Sequence, residues 1–340
     1  MTTQSSSKSD ISLPKHSQVS TSNKLASMIY NVFIKTLVRS QKNSFTKPLW
    51  WNLWNKSCEI FTCPISTKMH GHDVILNYGY TYPIYSRLFT SYNNPLVELV
   101  YQAYTANNNS QVTLIDVGAA IGDTVLLIHS SCPNIVSNYY CLDGDKEFFK
   151  YLQYNLNYIK EAMPVFAMLS DGAKVEKELI RTHKGTASSQ GTVEIEARPL
   201  DTVMQEVNVK AIDIIKIDVD GFDGKVISGS KQILEAHKPA IIFEWHPILI
   251  AQTNNSSLDP FQFLSSCGYD NFVWFTKYGE FSHFTNGFDS ESINKLANLC
   301  VRNKFHPDWH YDVVALHQNS SIDSLCLAEA QFAKLNKSRV

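Results

Sequence analysis

The stretch that decides the fold runs from Thr113 to Asp123 and reads TLIDVGAAIGD. Thr113, Leu114, Ile115 and Val117 make a short apolar run with turn residues directly behind it, the pattern of a strand buried on both faces of a parallel sheet. Gly118 and Gly122 open backbone conformations closed to other residues and let a ligand approach the main chain. Asp123 and Thr124 then start an apolar helix through Val125 to Ile128. Strand, glycine turn and helix N-terminus in this order make either a pocket for a nucleotide-like ligand or an ordinary strand-to-helix turn.

Spacing narrows the ligand. Dinucleotide folds use G-x-G-x-x-G, whereas this turn is G-x-x-x-G with no third glycine. Asp116, at the carboxyl end of the strand, puts a negative charge where a pyrophosphate would sit and suits a ligand carrying an ammonium group. S-adenosylmethionine has an amino-acid end, a sulfonium and a ribose but no phosphate. The rival enzyme reading is a nicotinamide-dependent Rossmann oxidoreductase.

At 340 residues the chain holds one large domain with additions, or two domains. Hydrophobic residues at 44% and charged residues at 18% place it with soluble globular proteins. A net charge of -2 argues against a general nucleic-acid binder, and no nucleic-acid partner is expected. The charge is uneven: up to Lys56 there are eight basic residues and one acidic, Asp10, so this segment carries +7 and the remainder -9. Seven cysteines, an odd number with no C-x-x-C, argue for a reducing, cytoplasmic setting and against a disulfide or zinc framework. No apolar run reaches the length of a membrane span. The Ser/Thr-rich, acid-poor start shares those features with organelle transit peptides, but Arg39 is its single arginine.

Residues 1–22 are too poor in apolar surface to offset the cost of ordering them, so they read as a disordered tail. Residues 23–105 read as a helical, aromatic extension over the active site. From Lys24 to Arg39, Leu25, Met28, Ile29 and Val32 recur at helical spacing as an apolar face, with Lys35, Arg39 and Lys42 on another. Together with Trp50, Trp51 and Trp54, residues 24–54 either pack on their own domain or rest on an anionic membrane or a partner. Asn93, Asn94 and Pro95 open a further helix, because proline fits the first helical turn. Tyr78, Tyr80, Tyr82 and Tyr85 either offer rings and hydroxyls to a sugar-like or planar substrate or pack that helix on the sheet. His70 and His72 read as loop residues.

Strand and helix patterns alternate after the glycine turn, which is the signature of a doubly wound sheet. Tyr139 to Leu142 is a second strand ending at Asp143, whose carboxylate can accept both ribose hydroxyls. Val165 to Leu169 is a third, with Ser170 and Asp171 placed for an adenine edge. Between Val175 and Arg198, GTASSQG (Gly185 to Gly191) reads as a hairpin or mobile loop. Asp213 to Val219 is a fourth strand, ending in Asp218 with Asp220 and Gly221 following. Pro239 to Trp245 is a fifth, running into His246. Phe261 to Leu264 suggests a helix, Asn271 to Phe275 and Tyr311 to Leu316 suggest strands, and residues 319–340 a loosely held tail.

These motifs resemble those of the FkbM family of S-adenosylmethionine-dependent methyltransferases. The family pattern resembles D-V-G-A-N-I-G, F-E-P, L-S-D and D-x-I-K-I-D-V-E-G after successive strands. Here Asp116 to Gly122, Leu142 to Gly144, Leu169 to Asp171 and Asp213 to Gly221 stand in the same order, followed by IIFEWHP. Three departures occur: Ala120 replaces the usual asparagine, Asp143 and Gly144 replace glutamate and proline, and Asp220 replaces glutamate. The resemblance spans about Met69 to His317 and implies a class I methyltransferase Rossmann-like fold, a mostly parallel, doubly wound, seven-stranded sheet over residues 106–318. It implies that S-adenosylmethionine is held by Asp116, Gly118, Ala119, Ala120, Ile121, Gly122, Asp143, Ser170, Asp171 and Asp218. The implied reaction moves a methyl group to a hydroxyl of a sugar, glycan or glycosylated secondary product. Asp218, Asp220 and His246 are the candidate bases at the carboxyl edge of the sheet, and no metal is expected. A reading from another class is a catalytically silent binding or scaffold module docked through its basic N-terminal helix.

Overall fold

The computed structural model describes residues 21–41, 46–172, 174–177, 180–181, 187–188, 194–304, 306 and 308–328. The chain enters through helices α1 (Thr21–Ser40) and α2 (Thr46–Ile60), then an antiparallel hairpin of β1 (Pro64–Met69) and β2 (His72–Asn77). Short helix α3 (Tyr82–Leu88) and α4 (Asn94–Ala106) follow. Pro95 lies in the first turn of α4, where its missing N–H leaves no hydrogen bond unmade. The extension expected to be helical therefore also contains a two-stranded sheet. Its signal was the alternation in ISTKM and HDVILN around His70 and Gly71, both of which turn with positive φ.

The alternating unit begins with β3 (Val112–Val117), α5 (Asp123–Ser131), β4 (Val136–Asp143), α6 (Lys146–Leu156) and β5 (Ala162–Phe166). Every residue of β3 is buried, as expected of a strand covered on both faces. Next come the short strands β6 (Met168–Leu169), β7 (Lys174–Lys177), β8 (Ile180–Arg181), β9 (Ala187–Ser188) and β10 (Glu194–Arg198), and helix α7 (Leu200–Glu206). The expected third strand is thus divided: β5 joins the main sheet, while β6 pairs with β10 in a separate small sheet. The expected hairpin or loop at Gly185 to Gly191 lies largely outside the described residues. The chain returns through β11 (Ile214–Ile217), α8 (Asp223–Ser228), α9 (Lys231–His237) and β12 (Ala240–Trp245). It ends with α10 (Pro247–Gln252), α11 (Asp259–Ser266), β13 (Tyr269–Thr276), β14 (Phe281–Asn286), α12 (Ser290–Arg302) and β15 (Tyr311–His317).

The main sheet has eight strands in the order β14-β13-β15-β12-β11-β3-β4-β5. The five from β12 to β5 are parallel, and β15, β13 and β14 are antiparallel additions. The eighth strand, β14, was not read from the sequence. Beyond Gln318, Leu327 and Ala328 are buried and Asn271 donates to Ser324 at 3.2 Å, so the segment to Ala328 packs on the sheet rather than hanging loose. Of the expected tail at residues 1–22, residues 1–20 lie outside the described residues, while Thr21 and Ser22 belong to α1.

Two relationships position the site. Strand order reverses between β3 and β11, and ligands in open α/β sheets bind outside the carboxyl ends at that point. Register then sets one row of residues across those ends: Asp312 pairs with Glu244, Phe243 with Ile217, Ile217 with Val117 and Val117 with Leu142. Glu244, Asp218, Gly118 and Asp143 accordingly end their strands at one level, with Asp312 beside them.

Candidate active site

A cavity of about 590 Å³ opens over this row, within the range of a small-molecule site. One wall is the sheet edge and the other is the extension, through Tyr80, Tyr82, Tyr85 and Tyr92. The extension is anchored on both sides. Phe89 stacks on Tyr278, in the turn after β13, at 4.0 Å between ring centroids. Asn155 of α6, buried at 1% exposure, accepts from Ile75 N–H at 2.9 Å and donates to the carbonyls of Ile75 at 3.0 Å and Ile121 at 2.9 Å. One side chain thereby ties β2 to the glycine turn. Tyr80 adds a hydroxyl donated to Asp123 at 3.1 Å.

At the β4 end of the cavity, Asp143 accepts from the backbone N–H groups of Ala120 at 2.8 Å and Asp145 at 2.7 Å, one on each carboxylate oxygen. These bonds fix the shorter side chain, and each oxygen keeps a lone pair for a ligand hydroxyl. Burial pushes the Asp143 carboxyl up to about 7, and the two N–H groups oppose that shift. Ala120 holds φ at 45°, in the left-handed region where asparagine or glycine is at less cost.

Gly118 serves a purpose other than ligand approach. A Cβ there would sit 1.9 Å from the Asp218 carbonyl oxygen, and φ is 76°, so the glycine lets β3 and β11 close on each other. Asp116 is wholly buried and pairs with Lys216 Nζ at 3.2 Å; it does not line the cavity. The expected contact from Asp116 to a ligand ammonium is replaced by this internal pair. Lys216 also reaches Asp218 at 3.4 Å, and Asp218 lines the cavity with its side chain half exposed. Burial works against the charge on Lys216, but Asp116, Asp218 and Asp123 together raise its pKa and hold it protonated. An ammonium-bearing ligand would therefore meet Asp218.

The other half of the cavity comes from the end of the chain. Asp312 lines it with no hydrogen-bond or ion-pair partner among the described residues. Burial and then Asp218 push its carboxyl up to about 7, against the opposing pull of Lys216. Glu244 Oε1 lies 3.1 Å from His310 Nε2. His310 Nδ1 lies 2.8 Å from the Asp308 carbonyl oxygen, which can only accept, so Nδ1 carries hydrogen and Nε2 faces Glu244. Burial, then His246 and Lys277, lower His310 to about 3, while burial, then Asp218 and Asp220, raise Glu244 well above the carboxylate range. The proton between them accordingly sits on Glu244. Lys277 is paired with Asp308 on the same wall.

Of the expected site residues, the cavity brings together Gly118, Ala120, Asp143, Asp218 and Asp220. Ala119, Ile121 and Gly122 shape the turn from beneath, and Gly122 abuts Leu156. Ser170 and Asp171 bond each other at 3.1 Å and do not line the cavity, where Met168 and Leu169 stand instead. His246 is also outside the lining. Its Nδ1 accepts from Leu249 N–H at 3.4 Å at the start of α10, and its ring stacks on His310 at 4.6 Å, so it backs a site residue rather than facing substrate. His70 bonds the Tyr82 hydroxyl at 3.0 Å and His72 meets Ser130 at 2.8 Å, both apart from the cavity lining. The sequence reading missed Lys216, His310 and Asp312. A lysine inside the buried run IIKI was the available signal for the first, since a buried cation needs a counterion. Among the described residues no group of three or more His, Cys, Asp or Glu is arranged to hold a metal ion.

Residues 116–270 match the family model described as the methyltransferase FkbM domain. The similarity to FkbM methyltransferases covers a little under half of the chain. The FkbM match contains the glycine turn, Asp143, Lys216, Asp218 and Glu244 and ends before Lys277, His310 and Asp312. Among solved structures, methyltransferase FkbM from Methylobacillus flagellatus KT is 13% identical with a TM-score of 0.36, covering 85% of this chain and 60% of that one. The chain thus spans about 60% of that protein's length. TYW2 of M. jannaschii, solved with AdoMet, is 12% identical with a TM-score of 0.36, covering 74% of this chain and 84% of that one. An O-methyltransferase from Bacillus cereus, solved with SAH, is 11% identical with a TM-score of 0.36, covering 66% and 80%. No curated protein matches the sequence.

Proposed function

We propose that the protein is an S-adenosylmethionine-dependent O-methyltransferase acting on a hydroxyl of a sugar, glycan or glycosylated secondary product. The observation that carries this reading is the carboxylate row: Asp143 and Asp218 in one half of the cavity, Asp312 and Glu244 in the other, at one level across adjoining strands. Asp143 fits a ribose diol and Asp218 an ammonium, while Met168 and Leu169 offer an apolar bed for a base. The donor supplies an electrophilic methyl on a sulfonium, and the remaining work is placement and proton removal. Positioning can be worth effective molarities of about 10⁵–10⁸ M.

Asp312 is the base in this scheme. Its unpaired carboxylate takes the hydroxyl proton as the O–H bond gives way to an O–CH3 bond, so the positive charge lost at sulfur reappears as that proton. Glu244, neutral and bonded to His310, keeps a second negative charge away from Asp312. The acceptor half is lined by tyrosines and carboxyl groups, which can bond hydroxyls and cover the C–H faces of a sugar ring. Seven free cysteines support a reducing, cytoplasmic setting.

Incubation with methyl-labelled donor and fractionated cell glycans tests the reading. Label is expected in a neutral carbohydrate fraction as a base-stable methyl ether. Donor binding with no label in any fraction would favour the silent binding module instead.

A further inference from the structure

Helix α1 presents a face to solvent that differs from the one its sequence suggests. Ala26, Tyr30, Ile34 and Leu37 turn inward. Ser27 Oγ accepts from the Ser66 N–H at 2.9 Å and Asn31 from the Thr67 hydroxyl at 2.6 Å, which docks α1 on β1. Of the four apolar residues singled out in the sequence, Leu25, Met28 and Val32 are left 51%, 60% and 56% exposed, while Ile29 packs against the core. Lys35 and Arg39, expected on a separate face, instead continue the same ridge, because positions 25, 28, 32, 35 and 39 fall on one side at 100° per residue.

Helix α2 repeats the arrangement. Trp54, Ser57 and Cys58 are buried, and Trp54 meets Tyr30 at 5.4 Å and Phe33 at 5.9 Å. Leu49, Leu53 and Ile60 are exposed, with Lys56 on their ridge. Residues 21–60 contain six basic residues and one acidic, Glu59. Lys24, Lys35, Arg39, Lys47 and Lys56 are all exposed, and none has an ion-pair partner among the described residues.

We propose that α1 and α2 rest on an anionic lipid bilayer surface, inserting these apolar ridges between headgroups while the lysines and Arg39 meet lipid phosphates and carboxylates. Apolar side chains interleaved with unneutralised cations fit such a surface. A second copy of the chain fits it poorly, since two segments of the same high positive charge would face each other. The helices lie in the plane of the bilayer and do not cross it; among the described residues no helix is long and apolar enough to span a membrane.

Flotation of the full chain with vesicles of phosphatidylserine and phosphatidylcholine, against phosphatidylcholine alone, tests the proposal. Binding to the anionic vesicles is expected, falling as salt is raised from 0.05 to 0.5 M, roughly as screening dictates. M28S/V32S and K35E/R39E should each cut the vesicle-bound fraction about tenfold or more, with donor affinity and melting temperature held. Equal flotation with both vesicle types, or none with either, overturns the proposal. So does a concentration-dependent dimer in sedimentation that M28S/V32S abolishes, which would assign the ridges to a second copy.

Discussion

Asp312 stands directly across from Glu244 on the neighbouring antiparallel strand. Two carboxyl groups at this position disfavour each other's ionisation, and like charges opposed across a sheet are destabilising. Their presence in a buried row is a cost that fold stability alone does not require.

Asp312→Asn should therefore separate stability from turnover. The melting temperature should hold or rise by a few degrees, for a gain of about 1 kcal/mol. Methyl transfer should fall about 10²–10⁴-fold, with donor affinity unchanged. Asp312 must be ionised to take a proton, so wild-type rate should climb with pH through about 7. The variant should lose that limb. A variant that keeps both rate and pH profile would remove Asp312 from the chemistry.

Donor affinity should itself depend on pH through Asp143. Free of ligand, this carboxyl is pushed up to about 7, whereas two ribose hydroxyls and two N–H groups all favour the ionised form. Binding then expels a proton, and affinity should weaken below pH 7, approaching about tenfold per unit. Titration calorimetry in buffers of differing ionisation heat would count that proton. Asp143→Asn should bind more weakly and flatten the profile.

Ala120 holds a left-handed backbone without the side chain that suits it. Ala120→Gly should relieve about 1–2 kcal/mol of strain, less about 0.5–1 kcal/mol of added chain entropy. A rise of a few degrees in thermal melting is expected, with the Ala120 N–H still available to Asp143. A fall in melting temperature would show that the turn is not strained.

Asn155→Leu should do the opposite. Three hydrogen bonds disappear and leave the Ile75 N–H and the Ile75 and Ile121 carbonyls buried without this partner. A loss on the order of 3 kcal/mol is expected in chemical denaturation. Donor affinity should drop as well, because Ile121 belongs to the glycine turn.

What could be read in advance follows from where the backbone makes demands on residue type. The turn from Gly118 to Gly122 and the acids at the ends of β3, β4 and β11 each stand next to or within their own strand, so local pattern exposed them. Asp312 and His310 carry no such mark. They enter through a strand added antiparallel, long after Glu244, and only the register of β15 on β12 brings them to the cavity. The amphipathicity of α1 was visible, but which of its faces turned inward was not. Tyr30 and Ile34 find Trp54 and β1, and that choice depends on partners distant in sequence. Ser170 and Asp171 went astray because β6 leaves the main sheet for β10.

The late insertion of β15 also fixes the order in which the protein comes into being. A chain emerging from its N-terminus has β3, β4, β11 and β12 in hand once Trp245 is made, and with them Asp143 and Asp218. Asp312 and His310 arrive only when nearly all of the chain has been synthesised. The residues proposed for the donor are therefore synthesised before those proposed for the acceptor. On the proposed mechanism, the residues that hold the methyl donor are made before the carboxylate that lets the methyl leave it.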